Sequence, residues 1–183
     1  MRNVLIVLSG PSGVGKGTIA KILSEKDNVA LSISCTTRKP RNGEKDGKEY
    51  FFISKEEFIN KINNDGFLEY SEHFENYYGT PKDFVFEKMK NSNVLLEIDV
   101  NGGLNVKKNF SDAVLIMITS SVEEIEKRLR KRKTESEEKI KLRMQRIDYE
   151  LSKSSLYDYV VTNDDLSTAV KEIEDIIAKE NNK

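Results

Sequence analysis

Residues Val4 to Thr18 read VLIVLSGPSGVGKGT. An apolar run, Val4-Leu5-Ile6-Val7-Leu8, feeds a glycine-rich turn that ends in Gly-Lys. That order predicts a buried strand over residues 2–8, a phosphate-binding loop, and a helix from Gly15 to about Lys26 with Ile19, Ile22 and Leu23 on its core face. Gly10, Gly13 and Gly15 permit backbone conformations that side chains would block. The stretch Gly10, Pro11, Ser12, Gly13, Val14 and Gly15 onward, in which Pro11 alone lacks an N–H, then turns successive N–H groups into a nest for phosphate at the positive end of the helix. Lys16 is placed to reach the outer phosphates. Gly17 stands where Ser or Thr usually touches magnesium, and Thr18 follows it. Magnesium is therefore expected to be held largely through water and phosphate, near Thr18 and Glu97. The competing reading, a glycine-rich turn that binds nothing, fits poorly with a strand before it and a helix after it.

The chain has 183 residues, enough for one domain with a sizeable core or a core with small insertions. Its net charge is −1 and its pI near 6.0, so the global balance points to neither nucleic acid nor an anionic membrane. No apolar stretch is long enough to span a bilayer, and the N-terminal apolar run ends in glycines instead of a signal-peptide pattern. The single cysteine, Cys35, excludes an internal disulfide and fits a reducing, cytoplasmic setting. Linkers and repeats are not evident. Monomer and dimer both remain open.

Beyond the first helix, Leu31–Cys35 reads as a short strand and Thr36–Tyr50 as a polar, basic loop. Tyr50-Phe51-Phe52 follows as a strand. Ser54-x-x-Glu57 is a capping box that opens a helix to about Asn64, closed by Gly66. Phe67–Phe74 and Tyr77–Tyr78 read as a hairpin, and Thr80-Pro81 starts a helix with Pro at its first position. Val94–Val100 and Ala113–Thr119 are near-continuous apolar runs, as strands covered on both faces require. Helices are expected at Leu104–Asn109, at Val122–Arg132 behind Ser121-x-x-Glu124, and at Glu135–Lys153 behind Thr134-x-x-Glu137. Tyr159–Thr162 is a last strand and Leu166–Glu180 a last helix. This alternation predicts an α/β fold with a parallel sheet flanked by helices. Residues 32–84 break the rhythm and read as an inserted α+β subdomain beside the phosphate loop.

Three groups of residues carry chemistry. Arg38 and Arg41, with Tyr50 beyond, form a plausible bidentate clamp for a phosphate monoester; a solvated basic loop is the alternative. Arg128 and Arg132 share a helix face, and Arg143 on the next helix could meet them over a phosphoryl group. Lys131 and Lys133 are assigned to solvent at the helix end. Glu97 and Asp99 lie two apart in an expected strand and so face one side, where a base edge, hydrated magnesium or an arginine would partner them. Glu69, in FLEY, is similar. His73 reads as a surface hairpin residue.

Taken together, GPSGVGKGT, SISCTTRKPRNGEKDGKEYFF, FLEY, NYYGT, LEIDVNG, the arginine-rich segment through RKTESEEKI, and VTNDDL resemble guanylate kinases in order and spacing, over about residues 3 to 180. The Gly-Lys-Gly-Thr ending is shared with adenylate kinases. The resemblance implies a P-loop NTPase-type core (residues 1–31, 85–120 and 155–183), a GMP-binding insertion (32–84) and a helical lid (121–154). It implies phosphorylation of GMP to GDP by ATP with Mg²⁺, a step of purine nucleotide metabolism. Arg38, Arg41, Tyr50 and Tyr78 resemble the family's grip on the GMP phosphate. Ser34, Glu69, Thr80 and Asp99 resemble its guanine-reading set, with Glu97 nearby. Lys16, Arg128, Arg132 and Arg143 resemble the residues around the transferred phosphate, and Asn163 and Asp164 the adenine end. Departures are Gly17 for a common serine, Cys35 for a small or apolar residue, and Lys133 for a frequent glycine.

Guanine chemistry suits these residues. A Glu69 carboxylate would accept from N1–H and the exocyclic amine, while Ser34 and Thr80 hydroxyls serve O6. Adenine would turn a lone pair toward that carboxylate. Two other readings stand beside this one: a kinase for another nucleoside monophosphate, and a guanylate-kinase-like binding module without catalysis.

Overall fold

The computed structural model describes residues 2–73, 75–131 and 137–183. Five strands form a wholly parallel sheet: β1 (Leu5–Ser9), β2 (Val29–Leu31), β7 (Asn93–Glu97), β8 (Val114–Thr119) and β9 (Tyr159–Thr162), in the spatial order β2-β7-β1-β8-β9. A smaller sheet, ordered β4-β3-β6-β5, contains β3 (Cys35–Thr36), β4 (Phe51–Phe52), β5 (Phe67–His73) and β6 (Asn76–Pro81). The helices are α1 (Lys16–Ser24), α2 (Lys55–Asn63), α3 (Lys82–Met89), α4 (Val100–Asn109), α5 (Val122–Lys131), α6 (Glu137–Ser152) and α7 (Leu166–Asn181). A single 3₁₀ turn, Ser154–Leu156, links α6 to β9.

The central strands are apolar throughout because both faces are covered. Ile6 and Leu8 of β1 pack with Ile19 and Leu23 of α1, Ile125 of α5 and Ile173 of α7. Their neighbours Leu5 and Val7 point the opposite way, into a cluster with Val85 of α3, Val106 of α4 and Tyr157. Every side chain of β1 is buried. Strand order reverses about β1, with β7 on one side and β8 on the other. In open α/β sheets that reversal leaves a crevice at the carboxyl ends of the strands, which is where ligands bind. Ser9, Glu97, Thr119 and Asn163 all lie at those ends.

The small sheet has its own apolar centre. Phe58 of α2 stacks on Phe67 and Tyr77 at ring-centroid distances of 4.4 and 5.3 Å. The capping box that opens α2 is complete, with Ser54 and Glu57 bonding each other's backbone. A register shift between Phe67 and Glu69 gives β5 an irregularity that places Glu69 opposite Thr80. Leu68, inside it, is buried in the core of the parallel sheet, and its carbonyl accepts from Asn109 at 2.8 Å. Shifts of this kind re-aim side chains at functional edges.

Several boundaries differ from the sequence expectation. Leu31–Cys35 is not one strand: the chain leaves the large sheet after Leu31 and enters the small one at Cys35. Strand β7 ends at Glu97, so Val94–Val100 is too long, and α4 begins at Val100 instead of Leu104. Glu97 and Asp99 consequently do not share a strand face; Asp99 is the N-cap of α4 and both side chains are exposed. Pro81 is the N-cap of α3 and closes β6, one position earlier than expected. The hairpin's second arm is longer than Tyr77–Tyr78. Arg132, Lys133 and the capping box from Thr134 fall outside the described residues, as does the His73 side chain.

Leu115, wholly buried near the start of β8, reports on this packing. Leu115→Ala should cost about 2–5 kcal/mol, read as a lower urea midpoint with unchanged slope.

Candidate active site

The loop after β1 is shaped by what surrounds it. A Cβ on Gly10 would collide with the carbonyl oxygen of Ile118 in β8, and one on Gly15 would lie 2.5 Å from Nδ2 of Asn163. Both glycines also have positive φ, 144° and 95°, so a side chain is excluded by sterics and by backbone conformation. Asn163, at the end of β9, donates to Val14 O at 2.7 Å. Lys16 folds over the loop and donates to Gly10 O and Pro11 O at 2.5 and 3.1 Å.

Two arginines hold the loop from outside. Arg128 of α5 donates to Val14 O at 3.3 Å and Asn163 O at 2.9 Å, and its Nε pairs with Glu124. Arg143 of α6 donates to the Ser12 hydroxyl at 2.6 Å. A cavity of about 500 Å³ opens beside the loop, lined by Gly13, Gly15, Thr18, Arg128, Lys131, Asn163 and Leu166. Lys131 is exposed, as expected, yet it belongs to this wall. Asn163 Oδ1 is buried with no partner, whereas Asp164 accepts from Ser120 at 2.8 Å. The two neighbours therefore differ: Asn163 has an acceptor to offer beside the cavity, and Asp164 holds a turn.

Across the crevice, the Arg38 guanidinium pairs with Glu44 at 2.9 Å and lies 5.6 and 5.8 Å from the ring centres of Tyr50 and Phe52. The Tyr78 oxygen accepts from it as well. The hydrogen bond that Arg38 donates to Glu44 pushes the Arg38 pKa further up, and the same bond pulls the Glu44 carboxyl down. Glu44 also accepts from the Arg41 amide at 2.7 Å, which fixes the loop while the Arg41 side chain remains exposed. Burial raises the Tyr50 phenol. A smaller cavity of about 140 Å³, lined by Ser34, Tyr50, Thr80 and Glu97 among others, separates the two sheets.

Behind Thr80 lies Glu69, 7% exposed. Thr80 donates to Glu69 Oε1 at 2.6 Å. Desolvation dominates the titration of this carboxyl and, helped by nearby Asp99, carries it to about 7 against the downward pull of the Thr80 hydroxyl. Asp99 Oδ1 accepts from the Gly102 amide at 2.7 Å. A Cβ at Gly102 would sit 3.3 Å from both Asp99 Oδ1 and Glu69 Oε2, so the two acids approach each other at the positive end of α4. In this arrangement the Thr80 hydroxyl proton is committed to Glu69, contrary to the expectation that it serves O6.

Glu97 borders the same small cavity and reaches the start of α1. Both its carboxylate oxygens lie 3.4 Å from where a side chain at Gly17 would begin. Gly17 offers no hydroxyl, and among the described residues no group of three or more His, Cys, Asp and Glu is placed to hold an ion. These residues fit a metal carried in by a phosphate ligand, with Glu97 as the nearest acid. Thr18 lines the large cavity instead.

Sequence reasoning brought Lys16, Arg128 and Arg143 to the loop, and Arg38, Tyr50, Tyr78, Ser34, Thr80, Glu69 and Asp99 to the facing crevice. It missed Glu44, whose only local signal is an acid six residues after Arg38 in a basic loop. It also missed Ser9 and Tyr157, described below. The Cys35 thiol is buried and pushed up to about 11 by desolvation, which keeps it out of nucleophilic chemistry.

The guanylate kinase family model matches residues 2–180. The chain is 52% identical to the guanylate kinase of Caldanaerobacter subterraneus subsp. tengcongensis over 182 residues, covering 98% of this chain and 88% of that protein. It is 51% identical to the guanylate kinase of Fusobacterium nucleatum subsp. nucleatum over 175 residues, covering 94% and 95%. The crystal structure of guanylate kinase from Anaplasma phagocytophilum superposes with a TM-score of 0.77 at 34% identity, covering all of this chain and 88% of that one. A shikimate kinase from Bacteroides thetaiotaomicron shares the fold at a TM-score of 0.56 and 16% identity, covering 96% and 98%. With a glycine loop clamped at the switch point of a parallel sheet and relatives this close along nearly its whole length, the chain belongs to the guanylate kinase family.

Proposed function

We infer that this chain transfers the terminal phosphoryl group of ATP to GMP, giving ADP and GDP. The observation that carries the acceptor's identity is the buried Glu69 carboxyl beside Asp99, across the crevice from the phosphate loop. Guanine offers N1–H and an amine side by side, and Glu69 accepts from both. Adenine, lacking the N1 proton, would leave a buried carboxylate unpaired; sites built on such pairing discriminate by ~10⁴-fold.

The family resemblance and the geometry support one division of labour. Arg38, Arg41, Tyr50 and Tyr78 grip the GMP phosphate, and Ser34, Thr80, Glu69 and Asp99 its base. Residues Gly10 to Thr18 receive the ATP phosphates, with Asn163 and Asp164 at the adenine end. Lys16, Arg128, Arg132 and Arg143 neutralise charge where phosphorus passes between oxygens. One P–O bond to ADP breaks as one to a GMP phosphate oxygen forms. The acceptor is largely ionised at neutral pH, so no base need remove a proton, and catalysis is positioning plus electrostatics. Mg²⁺ bound with ATP would supply charge neutralisation, and Glu97 beside Gly17 would hold it through water. Residues 32–84 act as the acceptor-binding insertion and 121–154 as the lid, whose closure excludes water. A reducing cytoplasm suits the unpaired, buried Cys35.

ADP production from ATP and Mg²⁺ with GMP, AMP, CMP or UMP tests the reaction directly. Turnover with GMP alone is expected; turnover with another acceptor would overturn the reading of Glu69, and GMP binding without turnover would make the chain a binding module. Glu69→Gln should lower kcat/KM for GMP by roughly 2–4 kcal/mol, on the order of 30- to 1000-fold.

The same substitution has a second readout. An acid raised from an ordinary 4.5 to about 7 ionises in the unfolded chain first, so stability falls between those values and the cost is complete above pH 7. Glu69→Gln should therefore raise Tm at pH 8 while leaving it nearly unchanged at pH 4.5. Arg38→Ala should slow turnover and weaken GMP, with ATP affinity in calorimetry intact; equal loss of ATP affinity would make the loop structural.

A further inference from the structure

Tyr157 and Ser9 form a buried hydroxyl pair that no role above uses. Ser9, the last residue of β1, is fully buried; Tyr157, directly after the 3₁₀ turn that leaves α6, is 8% exposed. The Ser9 hydroxyl donates to the Asp99 carbonyl at 3.2 Å and the Tyr157 hydroxyl donates to the Val100 carbonyl at 3.1 Å. The two hydroxyls also lie within hydrogen-bond reach of each other. Two protons thus serve three contacts, two of them at the N-cap and first residue of α4.

The sequence leaves room for this pair. A Cβ at Gly103 would lie 2.6 Å from the Tyr157 oxygen and 2.7 Å from the Ser9 oxygen. The adjacent Gly102 makes space on its own side for Asp99 and Glu69. Two consecutive glycines are unfavourable in a helix, and here each one clears a polar approach. Tyr157 itself stands on a fixed post. Its amide bonds Ser154 O, and the next residue, Asp158, bonds Leu115 at the start of β8 through both amide and carboxylate.

We propose that Tyr157 and Ser9 are positioning residues for acceptor recognition: their hydroxyls fix the backbone of Asp99 and Val100, and through it the direction of the Asp99 side chain toward the base. The pair would tie together three parts that must agree before transfer: the root of the phosphate loop, the exit of the lid helix, and the cap of α4. The inference rests on Asp99 belonging to the guanine-reading set.

The test is steady-state kinetics of the full chain with Tyr157→Phe, Ser9→Ala, Asp99→Asn and the double variant Tyr157→Phe/Asp99→Asn. Asparagine retains N-cap competence while losing the carboxylate. Loss of one neutral hydrogen bond should raise KM for GMP about 3- to 10-fold in Tyr157→Phe, with kcat and KM for ATP within about twofold. In the Asp99→Asn background the same change should add almost nothing, because the two act along one path. Ser9→Ala should repeat the pattern should Tyr157→Phe fold poorly. A drop in Tm with KM for GMP unchanged, or additive effects in the double variant, would overturn the proposal alone. An Asp99→Asn variant with unaltered KM for GMP would overturn the assignment of Asp99, and the proposal with it.

Discussion

The phosphate loop is a clamped backbone, and the rest of the active crevice is arranged around that clamp. At Gly10 the main chain passes so close to the Ile118 carbonyl that no side chain fits, and at Gly15 the Asn163 amide occupies the corresponding space. The loop therefore takes its shape from the ends of β8 and β9 as much as from its own sequence. Arg128 and Asn163 both donate to Val14 O, so the same carbonyl is held twice. Buried carbonyls satisfied in this way leave the loop amides to turn inward, where an anion belongs. Parallel pairing of β1 with β7 and β8 carries the constraint across the sheet, since it sets Glu97 and Ser9 at the same edge.

Much of this was readable in the sequence wherever a local pattern matched a local cause. The central strands are apolar on both faces because both faces are covered, and their runs stand out for that reason. The phosphate loop announces itself by spacing. Errors arose where one pattern had two meanings. In Leu95-Leu96-Glu97-Ile98-Asp99-Val100 the alternation of acids and apolar residues imitates a strand with one polar face. The chain instead caps a helix at Asp99, and the glycines at 102 and 103, poor helix formers, concealed where it starts. Leu31, Ile33 and Cys35 likewise keep a period of two across a gap between two sheets. Arg38 could be read as a phosphate ligand from its neighbourhood, but its lock on Glu44 belongs to loop geometry. Ser9 and Tyr157 meet through topology alone, so nothing near either of them in the chain signals the contact.

The charges divide into two populations with different work. Three arginines of the crevice are engaged with backbone carbonyls, hydroxyls or carboxylates: Arg128 with Val14 and Asn163, Arg143 with Ser12, Arg38 with Glu44. Such partners hold a guanidinium in place without neutralising it fully, which keeps positive potential available while limiting the side-chain ordering that binding would otherwise require. The acids behave differently. Glu97 is exposed beside Gly17, and Asp99 caps a helix, whereas Glu69 is buried among groups that only partly compensate it. Under the proposed function, the stability lost at Glu69 leaves an acceptor for a donor-rich ring.

That burial makes the proton a ligand of the crevice. A carboxyl raised to about 7 keeps part of its hydrogen in a neutral medium. A base that donates two hydrogen bonds to it can be received only when the proton has left. On the proposed reading of Glu69, acceptor uptake is an exchange reaction in which guanine enters and hydrogen ion departs. Acidity outside the protein competes for the same oxygens as the nucleotide, and the heat of binding carries the ionisation enthalpy of whichever buffer accepts the displaced proton.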